Sequence, residues 1–200
     1  HDYALLMLMP PQEQAAEALE LARELILVID TSGSMSGQSI SQAREALHEA
    51  LSGLSAKDRF NIIEFNSHVR AMATQPLAVN ASNMRRARAF VNSLHADGGT
   101  QMYPAIEAAL ARTGQAESSP DVLRQVIFIT DGAVSNEQAL FDLIRNDLDD
   151  SRFFTIGIGS APNSHFMQRA AELGKGTFSY IGKQSEVKQQ ITELFNKIAH

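Results

Sequence analysis

From Glu24 onward, the chain alternates short apolar runs of strand length with longer stretches whose apolar residues recur at helical spacing. No other feature narrows the fold as much. A strand, a helix and a second strand in succession return the chain to the sheet in parallel, through a right-handed crossover. Repeated along the chain, that unit builds a parallel sheet with helices packed against it.

The apolar runs place strands at residues 25–29, 60–65, 126–130, 153–158 and 177–181. The run 126–130 is almost purely apolar, as a strand covered on both faces requires. Helical spacing appears at residues 38–54, 81–94, 103–112, 136–147, 163–172 and 184–199. In the first of these, Ile40, Ala43, Leu47, Ala50, Leu51 and Leu54 lie on one face. Residues 69–72 follow a turn at Asn66, Ser67 and His68 and are expected to pair back as a short antiparallel edge strand. The expected architecture is α/β: a Rossmann-like, doubly wound, mostly parallel sheet with one short antiparallel edge strand and helices on both faces.

Residues 3–9 read as a further strand, stopped by Pro10 and Pro11, and residues 12–23 are rich in Ala, Glu and Gln, a polar linker or a short helix. The expected division is residues 1–23 as the tail of an upstream domain plus linker, and 24–200 as one domain. The chain opens on His1 rather than Met, which is expected of a fragment of a longer protein. A formal net charge of -6 argues against a nucleic-acid partner, which needs a basic surface. The chain has no cysteine, so disulfides, thiolate metal sites and cysteine nucleophiles are excluded. No apolar run approaches the roughly 20 residues that span a bilayer, so direct membrane insertion is not expected.

Open parallel sheets bind ligands in the crevice outside the carboxyl ends of their strands. The first core strand is followed there by Asp30, Ser32 and Ser34, and the strand 126–130 by Asp131 and Gly132. Between them, Asp97, Gly98, Gly99 and Thr100 form a loop leading into a helix. Three loops thus bring Asp30, Ser32, Ser34, Thr100 and Asp131 to one end of the sheet. These are hard oxygen donors, which suit Mg²⁺ and its demand for about six oxygens in octahedral array. Neutral hydroxyls quench little of the cation's charge, so such a site stays electrophilic toward an outside carboxylate. Gly33 is expected to let Ser32 and Ser34 both turn inward, with Gly98 and Gly99 giving similar freedom before Thr100. A helix starting after Ser34 would add its positive end.

Plainer readings stand beside these. Ser34 or Ser36 can cap the following helix, and Asp131-Gly132 can be a turn. Asp97 is either an outer partner of the site or a solvated loop residue. Met102 and Tyr103 either line the rim or bury the loop. Arg85, Arg86 and Arg88 oppose Met84, Ala87 and Val91 and read as the wet face of an amphipathic helix. His48, His68, His95 and His165 lack the His-Glu-x-x-His spacing of a zinc site. Gly157 and Gly159 read as strand-to-loop geometry rather than a dinucleotide fingerprint. An enzymatic alternative is a Mg²⁺-dependent phosphohydrolase with Asp30 as nucleophile. Such enzymes usually carry a second Asp two residues on, where this chain has Ser32.

Asp30-x-Ser32-x-Ser34, then Thr100, then Asp131-Gly132 resembles the metal-ion-dependent adhesion site of von Willebrand factor type A domains. The resemblance covers about residues 24–199. It implies that Ser32, Ser34 and Thr100 are direct ligands of Mg²⁺ (or Mn²⁺ or Ca²⁺), with Asp30 and Asp131 acting through water. It also implies a non-enzymatic module whose protein partner supplies an Asp or Glu carboxylate. The segments Glu24-Leu25-Ile26-Leu27-Val28-Ile29-Asp30, Asp58-Arg59-Phe60-Asn61-Ile62-Ile63, Gly98-Gly99-Thr100 and Thr155-Ile156-Gly157-Ile158-Gly159 are similar to inter-alpha-trypsin inhibitor heavy chains. They are closer still to bacterial surface proteins that join a vault-type domain to a type A domain. The resemblance implies an extracellular, cell-surface or periplasmic location. Related domains can couple ligation to a shift of the last helix, here 184–199.

Overall fold

The computed structural model describes residues 21–111, 122–132, 134, 136–159 and 162–198. The strand expected at residues 3–9 and the segment 12–20 of the linker lie outside the described residues. Among the described residues, seven strands form one sheet: β1 (Ala22–Asp30), β2 (Arg59–Phe65), β3 (Val69–Ala71), β4 (Leu77–Ala78), β5 (Val122–Thr130), β6 (Arg152–Ile158) and β7 (Phe178–Ile181). The spatial order is β3-β2-β1-β5-β6-β7, with β4 also on β2. All pairings among β2, β1, β5, β6 and β7 are parallel, while β3 and β4 run antiparallel to β2. The expected doubly wound sheet and its antiparallel edge are therefore present. The two-residue β4 is an addition that its short Leu77-Ala78 run did not announce.

The chain leaves β1 toward β2 on one side and later returns to pair β5 with β1 on the other. The order reverses between β1 and β5, and a crevice opens at such a switch point, outside the strands' carboxyl ends.

Six helices cover the sheet: α1 (Gln38–Ser52), α2 (Ala81–Ser93), α3 (Met102–Leu110), α4 (Glu137–Asp147), α5 (Ser164–Leu173) and α6 (Val187–Ile198). Period-two alternation along β1 splits the core in two. Leu25, Leu27 and Ile29 join a cluster with apolar residues of α1, α2 and α6. Ile26 and Val28 join a second cluster with residues of α3, α4 and α5. Both faces of the central strands are buried, which accounts for their continuous apolar runs. On β5, Val126 and Phe128 pack with the second cluster and Ile127 and Ile129 with the first.

At the amino end of the sheet, Arg124 of β5 donates to Glu24 Oε1 at 3.0 Å and to the carbonyl of Ala109 at 2.8 Å. Arg23 Nη2 meets Asp58 Oδ2 at 2.7 Å. Polar residues at this end are thus consumed in holding the sheet, and the opposite end is left to carry the site.

Candidate metal centre

Asp30 is the last residue of β1, and its side chain is enclosed rather than presented to solvent. Its Oδ1 accepts from the Ser32 amide at 2.8 Å, and its Oδ2 accepts from Thr130 Oγ1 at 2.5 Å. Thr130 Oγ1 in turn accepts from the Gly132 amide at 3.0 Å, so one hydroxyl sets the Asp30 carboxylate and starts the turn that carries Asp131. Ser32 and Ser34 turn their hydroxyls to within 3.0 Å of each other.

The loops are sewn together through their backbones. Thr31 N donates to Phe65 O at 2.8 Å, Gly33 N to Gly98 O at 3.0 Å, and Asp97 N to Thr31 O at 2.8 Å. Gly99 N donates to Ser67 Oγ at 2.7 Å, and Gln101 N to Asn66 O at 2.7 Å. Thr100 lies between these last two anchors, half-buried at the entry to α3. The five residues singled out from the sequence thus stand at one end of the sheet. Asp30, Ser32 and Ser34 are linked directly, Asp131 is close enough to act on Asp30 electrostatically, and Thr100 is placed by its loop.

Burial pushes the Asp30 carboxyl above its ordinary value. The hydrogen bonds from Thr130 and Ser32 oppose that rise, and the neighbouring Asp131 charge adds to it. Two carboxylates under these conditions gain from a cation between them, and the hydroxyls beside them add hard donors. The chemistry of this donor set therefore suits a hard divalent cation such as Mg²⁺. Among the described residues, no group of three or more His, Cys, Asp and Glu could hold a metal. Any cation here depends on hydroxyl donors.

Several local expectations need correction. The helix after Ser34 starts at Gln38, where its spacing put it; a 3₁₀ turn, Gly33–Met35, precedes it, and its N-cap is Gly37. Neither Ser34 nor Ser36 caps α1; Ser36 Oγ donates back to Gly33 O at 2.7 Å. Gly33 is not needed for a left-handed turn. Nor is it required by close packing, since a Cβ there would meet Gly98 O at an ordinary contact distance of 3.4 Å. Gly98, at φ 74°, does occupy the left-handed region. Asp97 folds its carboxylate onto the Gly98 amide at 2.8 Å and is exposed. Met102 is buried, whereas Tyr103 is 45% exposed and available to a partner.

Sequence reasoning passed over Thr31, Glu64, Asn66, Ser67 and Thr130. Thr31 Oγ1 donates to Glu64 Oε1 at 3.0 Å, and Arg70 Nε holds the other Glu64 oxygen at 2.7 Å. The available signal was Glu64 itself, an acid set between the apolar Ile63 and Phe65 of β2, and it is only 6% exposed. The wet face of α2 stands as expected: Arg85, Arg86 and Arg88 are exposed while Ala87 and Val91 are buried. Gly159, at φ 95°, ends β6 as strand-to-loop geometry.

A family model described as von Willebrand factor type A domain matches residues 23–180. A von Willebrand factor A domain-containing protein of Dictyostelium discoideum is 30% identical over 174 residues, covering 86% of this chain and 18% of the relative. Mouse inter alpha-trypsin inhibitor, heavy chain 4 is 30% identical over 189 residues, 90% of this chain and 20% of the relative. The chain thus spans about a fifth of the length of these curated relatives. Among solved structures, a von Willebrand factor type A protein from Catenulispora acidiphila superposes with a TM-score of 0.78 at 23% identity, over 90% of this chain and 43% of that one. The pilus adhesin SpaC of Lactobacillus rhamnosus GG superposes with a TM-score of 0.72 at 14% identity, over 90% of this chain and 31% of that one. Likeness at these identities establishes the shared fold.

Proposed function

The chain belongs to the von Willebrand factor type A domain family, and from that premise we propose that it is a divalent-metal-dependent protein-binding module. Ser32, Ser34 and Thr100 would hold Mg²⁺, with Asp30 and Asp131 as its charged partners. Bound there, the cation supplies an electrophilic position for an Asp or Glu carboxylate of a partner protein. The reading rests chiefly on the donor set: two carboxylates, one of them enclosed, beside paired hydroxyls at the sheet's switch point. Mn²⁺ and Ca²⁺ share the preference for oxygen and are the competing ions.

The chain's own residues prepare the site without chemistry. Thr130 and the Ser32 amide hold both Asp30 oxygens in place. The backbone ties from Thr31, Gly33 and Asp97 fix the loops before a ligand arrives, which lowers the entropy lost on binding. Ser32 weighs against a phosphohydrolase, since it stands where an enzyme with Asp30 as nucleophile would carry its second Asp as acid and base. We therefore read the chain as a binding module rather than an enzyme, acting in a secreted or surface-exposed parent protein. Adhesion by the structurally similar SpaC is in keeping with that reading. No helix among the described residues is long and apolar enough to cross a membrane.

Calorimetric titration of the chelator-treated protein with Mg²⁺ and Mn²⁺ tests the site. One saturable ion per chain is expected, with that heat lost in Asp30→Ala and sharply reduced in Ser32→Ala. Heats that are unchanged in both variants would remove the metal from the account.

A further inference from the structure

Beside the candidate metal centre, a cavity of about 170 Å³ opens between the starts of α3 and α4. Thr100 and Gln101 form its wall toward the metal centre. Met102 and Leu140 lie at its buried side, 5% and 1% exposed, and Ala139 adds a further apolar surface. The Tyr103 ring stands at the mouth, one of the few large apolar side chains left open on the described surface. Asn136, held at φ 63°, completes the rim from the start of α4.

Size and chemistry narrow the occupant. The space is far below the roughly 300 Å³ at which pockets for whole small molecules begin. Its volume is close to the ~150 Å³ of a sealed apolar cavity that takes up benzene, though this cleft is open at its mouth and has Thr100, Gln101 and Asn136 among its lining residues. A thioether on the inner side favours an aromatic edge, and the Tyr103 ring offers an aromatic partner at the mouth. The shared residue fixes the location: Thr100 lines the cavity and also belongs to the proposed ligand set. Successive residues of an extended peptide advance about 3.3 Å each and point to alternate faces, so a partner whose carboxylate sits at the metal turns the side chain two positions away toward the same surface, where the cavity opens.

We propose that this cavity receives one phenyl-sized side chain of the partner, so that the domain recognises an acidic residue together with a Phe two positions from it. This deepens the metal-dependent reading and rests on it. It makes the α3–α4 cleft a specificity pocket, and it assigns Met102, Tyr103, Ala139 and Leu140 to partner selection. The metal would give the partner its anchor and the cleft would give it its identity.

The test uses blocked peptides in which one Glu is flanked by glycines, and a matching set with Phe two positions before or after the Glu. Affinity is read with Mg²⁺ present and with chelator, from the methyl signal of Met102 in protein carrying ¹³C-methyl methionine. Benzyl alcohol, added to the chelated protein, probes the cavity alone. The expected result is that benzyl alcohol moves the Met102 signal and leaves that of Met35, which is sealed in the other core cluster. At least one Phe peptide should bind about tenfold or more tightly than the glycine peptide in Mg²⁺, the gain from burying a phenyl group. Ala139→Phe, which fills the cleft from α4, should abolish that advantage while leaving the glycine peptide's Mg²⁺-dependent binding in place. Tyr103→Ser, at an exposed position that tolerates change, should weaken the Phe peptides selectively.

A Met102 signal indifferent to benzyl alcohol, or equal affinities for the Phe and glycine peptides, overturns the pocket. Failure of the underlying reading looks different. In that case Mg²⁺ adds nothing to the binding of any Glu peptide, while benzyl alcohol still enters and Phe peptides still bind better than glycine ones.

Discussion

Thr130 shows how much one hydroxyl carries. Its Oγ1 donates to the enclosed Asp30 carboxylate and accepts from Gly132 N, so it serves two motif loops at once. Thr130→Val keeps the shape and removes both bonds. The expected outcome is a fold that still melts cooperatively but binds Mg²⁺ about 10–100-fold more weakly, as happens when residues that orient ligands are lost; calorimetry on the variant checks it. Asp58 offers a second test at the opposite end of the sheet. Burial pushes its carboxyl up, but the Arg23 side chain and the amides of Ser55 and Arg23 outweigh that and hold it below its ordinary value. The folded state therefore binds fewer protons at this group than the unfolded state does. Its stabilisation is present above about pH 4, the unfolded value, and disappears as the pH falls through the lower folded value. Asp58→Asn leaves Arg23 without its charge partner and is expected to cost about 3 kcal/mol near neutrality. Below pH 4, the variant and the parent should converge. Urea unfolding across pH 2.5–7 reads both effects, and a constant gap over that range would refute the assignment.

At the scale of elements, Asn163 joins two helices. Its Oδ1 caps α5 by accepting from Phe166 N at 3.1 Å, and its Nδ2 donates to Glu137 Oε1 in the first turn of α4 at 2.8 Å. Gly132, at φ 79°, passes so close that a Cβ there would lie 2.6 Å from Asn163 N. Asn163→Ala is expected to cost about 1–2 kcal/mol through the lost cap. Gly132→Ala should cost at least about 2 kcal/mol, since strain at positive φ adds to a collision with backbone. Thermal unfolding of both variants measures this. The elements themselves were legible because their apolar spacing is unambiguous: the face of α1 and the run of β5 lie where the pattern put them. The ends were less so. β1 extends back to Ala22 because Ala22 and Arg23 pair with Val122 and Leu123, contacts a hundred residues away that no local pattern reveals. Ser34 and Ser36 both look like helix caps, yet they lie in and beside a 3₁₀ turn tied by the bond from Gly33 to Gly98, and Gly37 caps α1. The motif was legible as five residues with one chemistry. Its supports were not, because Thr31, Glu64 and Thr130 act through partners on other strands.

Across the whole molecule, the strands at the centre of the sheet and those at its edges should differ in stability. β1 and β5 are paired on both sides and covered on both faces, while β3 and β4 are short and lie outermost. Amide exchange in β1 and β5 is expected to require global unfolding, and exchange in β3 and β4 to proceed through cheaper local openings. Added Mg²⁺ should stabilise the whole domain by mass action, by about 2.7 kcal/mol at a hundredfold excess over Kd. That gain should vanish in Asp30→Ala, as differential scanning calorimetry would register.

The β1–β5 pairing also sets an order in time. Asp30 and Thr130 lie 100 positions apart in the chain, and so do Glu24 and Arg124. The centre of the sheet therefore cannot close until β5, about a hundred residues after β1, has been synthesised. Until then β1 can pair only with β2, and its other edge waits, apolar and open. Folding through contacts this distant is slow, because a long loop must be closed before any of them forms. The crevice outside the carboxyl ends of these two strands therefore cannot take shape until β5 has joined β1.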